Sequence, residues 1–266
     1  MKIKQIIAGA FGVALLAGSL PVSAEEPLDF SQYKVVAVQP VLFGSKAESR
    51  YVQGTAHAAS SASAERVRAV AASAPSLAQE EGLGFGGSST SSDIESMGLG
   101  YIVGILPLLM ADAETLNEIL TSLESTPLVQ GYHANVQQNL TALVSSARRD
   151  QLDTLAYLEF IRSAVGGMAG SEDPAVQRFH GYLLVGYWAG LALVASEVGD
   201  LRPVLVNSGK SLITLLVEDA SYGGSDRKLA ALVAEVVSKL EAGTANKDSV
   251  LKAAQAMLAV QPDQEP

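Results

Sequence analysis

Two stretches of sixteen uncharged residues, 96–111 and 181–196, stand out in the hydrophobic pattern of the chain. On a helical wheel the second stretch is apolar on every side, with one strip of bulky residues and one sector that contains Gly186 and Gly190. A helix of this length reaches about 24 Å, which is shorter than the ~30 Å hydrocarbon core of a bilayer. The pattern therefore predicts a buried core helix that a neighbour approaches closely at its glycines. A membrane-inserted pair of helices is the disfavoured alternative.

Helix-capping residues recur between residue 97 and the end of the chain. Asp112 precedes the amphipathic segment "AETLNEILTSL", Asp173 and Pro174 precede the second apolar stretch, and Gly199 and Gly243 follow helical patterns. The pattern predicts one helix after Asp112 and further helices over 128–147, 150–165, 173–199, 201–219, 226–242 and 248–260. Because the loops between them are short, sequence neighbours should run antiparallel. The predicted fold is all-α, an irregular antiparallel helical bundle of about six or seven helices.

The first 24 residues have the pattern of a secretory signal peptide. Lys2 and Lys4 form a short basic start, 6–16 is an apolar core, and the small-residue motif "VSA" ends at Ala24. We expect cleavage near Ala24 and a location in a periplasm or outside the cell. The chain has no cysteine, which excludes disulfides, thiol catalysis and lipid attachment through a cysteine.

Composition divides the rest of the chain at residue 97. The preceding region is rich in Ala, Ser and Gly, with one extended segment ("YKVVAVQPVLF"), a weak helix former ("ASSASAERVRAVAASA") and a linker-like stretch ("GLGFGGSSTSSD"). We expect 25–96 to be a flexible extended arm and linker, 97–260 to be the helical bundle domain, and 261–266 to be a polar tail.

The chain is strongly acidic. Its formal net charge is −10 at pH 7, and loss of Lys2 and Lys4 with the signal peptide lowers that charge to −12. An electrostatic field of this sign opposes the approach of phosphate groups, so the composition argues against a nucleic-acid partner. Hydrophobic residues make up 48% of the chain, which is enough to form a sizeable core.

The sequence contains no recognisable motif for catalysis or metal binding. His57, His133 and His180 do not have the spacing by which one helix or loop presents metal ligands. The segment "NSGKS" resembles the end of a phosphate-binding loop, but Val204 stands where that loop requires glycine. We therefore predict no catalytic residue, no metal ligand and no cofactor, and the sequence disfavours an enzyme without excluding one.

Three functional hypotheses follow from these patterns. The favoured one is a secreted or periplasmic non-enzymatic helical protein that acts as a protein–protein interaction module. The second is a carrier of a small apolar ligand, in a pocket lined by Phe179, Tyr182, Tyr187 and Trp188 on the helix over 179–194. Core packing explains the same aromatic residues, which places the carrier second. The third is an enzyme whose site is assembled from distant residues.

Overall fold

The computed structural model describes nine parts of the chain, and helices dominate them. Of the described residues 87% are helical and none is in a strand, which confirms the all-α class. The predicted signal peptide, the extended segment and the polar tail lie outside these parts. The described residues are 30, 62–73, 89–125, 134–149, 156, 159–163, 172–198, 203–218 and 224–260.

Eight helices have their bounds within the described residues, and 159–163 is a further helical stretch. The helices after Asp112 and over 173–199, 201–219, 226–242 and 248–260 are confirmed to within a few residues. The eight helices are α1 (Ala64–Ala71), α2 (Ser89–Leu109), α3 (Ala113–Ser125), α4 (Ala134–Ala147), α5 (Pro174–Val198), α6 (Pro203–Glu218), α7 (Gly224–Glu241) and α8 (Lys247–Leu258).

Capping residues account for where several helices begin and end. At the start of α5, the Asp173 side chain accepts a hydrogen bond from the backbone N–H of Ala175 (2.9 Å), and its carbonyl accepts one from Gln177 (3.0 Å). Before α8, Asn246 and Ser249 form a reciprocal capping box. After α7, Gly243 adopts a φ of 67°, a left-handed conformation that favours glycine.

Helix α1 and the first turns of α2 lie inside 25–96, the range expected to be a flexible arm and linker. Ser63 caps α1 by accepting a hydrogen bond from the backbone N–H of Arg66 (3.3 Å). Val67 and Val70 are fully buried, and the hydroxyl of Tyr101 on α2 donates to the carbonyl oxygen of Val70 (3.1 Å). Two valines one turn apart therefore dock this short helix, although the surrounding composition is poor in large apolar residues.

Helices α2 and α5 form the central pair, and glycines bring their backbones into contact. A Cβ atom placed on Gly100 would lie 1.9 Å from the carbonyl oxygen of Leu183, and one placed on Gly104 would lie 2.4 Å from that of Tyr187. The contacts advance in the same direction along both helices, so this pair is parallel. The expectation of an antiparallel bundle was wrong for the central pair, because the short-loop rule applies only to sequence neighbours.

The other helices pack around this pair. Helices α6 and α8 contact α5, α7 lies against α6 and α8, and α1 and α3 contact α2 and each other. Trp188 reaches from α5 towards α6 and α7, because a Cβ atom on Gly209 would meet both its ring and the Val237 side chain. The core is therefore continuous across the bundle, with α5 at its centre.

One helix among the described residues is long and apolar enough to cross a membrane. It spans 174–196 with a mean hydropathy of 1.3. The whole of its most apolar window is buried inside the protein, as in the core helix of a soluble bundle.

We expect Gly100→Ala and Gly186→Ala to destabilise the protein by about 1–3 kcal/mol each, because the added methyl group would meet a backbone carbonyl at 1.9 Å. Gly190→Ala, with 2.6 Å to the carbonyl oxygen of Tyr101, should cost less than either. Thermal unfolding followed by circular dichroism measures the difference. Ser238→Ala, at an exposed position of α7, is the control and should change stability by about 0.5 kcal/mol at most. Glycine variants as stable as this control would contradict the backbone contact.

Candidate functional site

The four aromatic residues predicted to line a ligand pocket are all buried, with at most 1% of each exposed. Tyr182 donates its hydroxyl hydrogen bond to the carboxylate of Asp226 on α7. The indole N–H of Trp188 donates to the carbonyl oxygen of Leu205 on α6 (2.9 Å). Both polar groups are thus engaged inside the bundle, and they point to different helices.

The remaining two aromatic residues have other surroundings. The ring of Phe179 meets His180 edge-on, with 5.4 Å between ring centroids. The backbone of Tyr187 lies against Gly100 and Gly104 of α2. The structure therefore places the four residues on several sides of α5, and the ligand pocket stays a prediction.

A buried ionic cluster joins α2, α5 and α7 near the start of each helix. Two nitrogens of Arg178 donate to Oδ2 of Asp93, at 3.1 and 2.9 Å, and a third donates to Oδ2 of Asp226 at 3.2 Å. Arg178 also donates to the hydroxyl of Tyr182 (3.4 Å), and its guanidinium carbon lies 5.4 Å from the centroid of that ring. These four residues are called the ionic cluster below.

Burial and charge act against each other in the ionic cluster. Burial raises the pKa of Asp93 above its ordinary value, although the hydrogen bond and charge of Arg178 act to lower it. Burial also raises the pKa of Tyr182, so this side chain keeps its proton and donates to Asp226. For Arg178, burial acts to lower the pKa, but the hydrogen bond and charge of Asp93 and the charge of Asp226 outweigh it and raise the pKa. The guanidinium therefore stays charged.

Of the four residues in the ionic cluster, the sequence pattern had singled out only Tyr182, as a ligand-binding residue. A signal was present, since Arg178 is the one lysine, arginine or carboxylate side chain between residues 174 and 196. A lone charge in an apolar helix indicates a buried ion pair. Asp93 could not be recognised as its partner, because it lies within the range interpreted as a linker.

The ionic cluster has the composition of a structural network. Its one cation is shared between two carboxylates, and its hydroxyl group already donates to one of them. Activation of a nucleophile needs a base whose accepting atom faces a reactive hydroxyl, thiol or water. Among the residues that the structure describes, no group of three or more His, Cys, Asp or Glu side chains is placed to hold a metal ion.

An open groove lies on the surface between α1 and α3, with a volume of about 460 Å³. Beside it, Arg68 donates to the carboxylate of Asp112 (3.2 Å) and to that of Glu114 (3.4 Å). The hydrogen bond from Thr115 (2.9 Å), together with the charge of Arg68, lowers the pKa of Asp112 below its ordinary value. This space is called the α1–α3 groove below, and it is lined by Arg68, Ala71, Ala72, Glu114, Thr115, Glu118 and Ile119.

Comparison with known proteins gave no relative. No family model, no curated protein and no solved structure matched the chain. The ionic cluster and the α1–α3 groove are two polar features of the described residues.

Removal of the cation should break the ionic cluster. We expect Arg178→Met to destabilise the protein by about 3–5 kcal/mol, because it leaves Asp93 and Asp226, 5% and 1% exposed, without their shared cation. Urea unfolding followed by circular dichroism measures the free energy. Arg162→Met is the control: Arg162 pairs with Glu159 while half exposed, and its loss should cost about 0.5 kcal/mol. Similar small losses in both variants would show that the cluster is hydrated.

The raised pKa of Asp93 sets the sign of a pH effect on stability. A carboxyl group whose pKa is higher in the folded protein contributes stability that is fully present below 3.8 and is lost as the pH rises through the folded value. We therefore compare the melting temperatures of the wild type and of Asp93→Asn. The value for the wild type minus that for the variant should increase as the pH falls from neutrality towards 3.8. Titrating groups that do not interact with Asp93 are common to both proteins and cancel in the difference. A difference that does not change with pH would contradict the raised pKa.

Proposed function

We propose that this protein is a non-enzymatic helical protein, exported to a periplasm or to the medium, that acts by binding another protein. The observation that carries the proposal is the α1–α3 groove. It combines exposed charged side chains with apolar side chains at the surface of a packed bundle. A mixed surface of this kind is typical of protein interfaces, in which apolar contacts lie inside a polar rim.

The interior offers less support for the other two hypotheses. A carrier of an apolar ligand needs aromatic side chains around a shared space, but Tyr182 and Trp188 make hydrogen bonds to two different helices. An enzyme needs polar groups free to act on a substrate, but the carboxylates of the ionic cluster already accept from Arg178. Both features stabilise the bundle, which leaves recognition to the surface.

Export rests on the N-terminal pattern. We propose that residues 1–24 are removed as a signal peptide, with cleavage near Ala24. The absence of cysteine fits a structure stabilised by core packing rather than by disulfides.

Photo-crosslinking from the groove tests the proposal. The photoreactive residue p-benzoylphenylalanine would replace Ala72, an exposed residue that lines the α1–α3 groove, in the protein expressed in its native host. We expect one discrete adduct of higher mass on irradiation of intact cells. The control carries the same residue in place of Glu235, an exposed position on α7, and should give no such adduct.

The outcomes test two claims separately: that the protein binds another protein, and that it does so at the α1–α3 groove. A discrete adduct from position 72 alone supports both the proposed function and the groove. An adduct from position 235 alone overturns the groove as the binding surface. Absence of any adduct from both positions, with the protein folded and exported, overturns the proposed function.

A further inference from the structure

Negative charges outnumber positive charges around the α1–α3 groove. Glu114 and Glu118 are four residues apart, so they lie on the same face of α3. Asp112 adds a third carboxylate next to them, whereas Arg68 is the one cation that lines the groove. The side chain of Glu114 is 74% exposed, so its carboxylate can contact a partner without a large desolvation cost.

Three of the side chains that line the groove are apolar. Ala71 and Ala72 present only methyl groups on the α1 side, so another chain can approach that helix closely. Ile119 is half-buried on the α3 side. A volume of about 460 Å³ holds a few side chains rather than a whole helix. The matching ligand is therefore a chain that lies over the groove and inserts a few apolar stems.

We infer that the α1–α3 groove binds a cationic, amphipathic segment of the partner polypeptide, an inference that rests on the proposed function. Lysine and arginine have apolar stems and charged ends, so such a segment places its stems on Ile119 and the alanines and its charged groups beside Glu114 and Glu118. The net charge of −12 that remains after loss of residues 1–24 attracts the same kind of segment from a distance and raises the association rate.

An anionic ligand fits this groove poorly. The charge of Arg68 is already compensated by Asp112 and Glu114, through contacts of 3.2 and 3.4 Å. An incoming carboxylate or phosphate would therefore compete with two carboxylates for one guanidinium, and it would also face Glu118 across the groove.

A binding experiment with a defined peptide tests the charge preference. The probe is a fluorescein-labelled amphipathic peptide of leucine and lysine at helical spacing, titrated with the chain from residue 25 onwards and followed by fluorescence anisotropy. We expect the double variant Glu114→Gln/Glu118→Gln to weaken binding by about tenfold and to reduce its salt dependence. A peptide with glutamate in place of lysine should not bind.

The matched control is the double variant Glu235→Gln/Glu241→Gln on α7. It removes the same charge from exposed positions, and its side chains pair with Lys239 and Lys210 much as Glu114 pairs with Arg68. We expect this control to weaken binding by less than about twofold. Equal losses in the two double variants would show attraction to the acidic protein as a whole and would overturn the inference. Failure of the lysine peptide to bind the wild type would also overturn the inference.

The crosslinked adduct from position 72 separates this inference from the function on which it rests. Mass spectrometry of the adduct identifies the partner segment attached to the groove. A segment rich in lysine or arginine supports the inference. A segment with net negative charge overturns the inference and leaves the proposed function in place, whereas the absence of any adduct overturns both.

Discussion

The backbone contact between α2 and α5 is the constraint on which the rest of the structure depends. Gly100 and Gly104 face Gly186 and Gly190 so closely that no side chain fits between the two helices. At this separation, Cα–H groups can approach carbonyl oxygens, and dispersion acts along the whole contact. The large neighbours of the glycines must then point away from the contact. Tyr101 accordingly reaches α1, and Trp188 reaches α6, so the central pair also fixes where the outer helices pack.

The ionic cluster lies at the beginning of the same two helices and gives the contact its register. A shift of α5 by one turn would separate Arg178 from Asp93, and it would also move bulky side chains onto the glycines of α2. Two independent interactions therefore select the same alignment. Because Asp226 on α7 shares the guanidinium of Arg178, the third helix is held at this end as well. Burial of these charges costs free energy, and their pairing in turn favours a single arrangement of the three helices.

Local signals explain which parts of the fold were predictable from the sequence. Asp112 and Asp173 marked helix starts because a capping side chain bonds to the backbone two or three residues away. The closeness of a neighbour at Gly186 and Gly190 was also predictable, since glycines aligned on one face of an apolar helix have few other uses there. The identity and parallel direction of that neighbour could not be predicted from local signals, because the two helices are far apart in the sequence: Asp93 and Arg178 are 85 positions apart. The aromatic residues of α5 show the same limit: their burial followed from the pattern, but their hydrogen-bond partners on α6 and α7 did not.

The position of the α1–α3 groove would link the binding of a partner to the docking of α1. One wall of the groove is α1, a helix of eight residues. It is held by two valines, by the bond from Tyr101, and by contacts of Arg68 and Ser73 with α3 and α8. Isolated helices of this length are unstable in water, so α1 depends on these few contacts for its order. A partner that binds both α1 and α3 binds only the state in which α1 is docked. Its binding free energy therefore adds to the stability of that state. Conversely, any change that destabilises the docked position of α1 weakens the binding of the partner. Binding of the proposed partner at this groove and the folding of α1 would then be one coupled equilibrium.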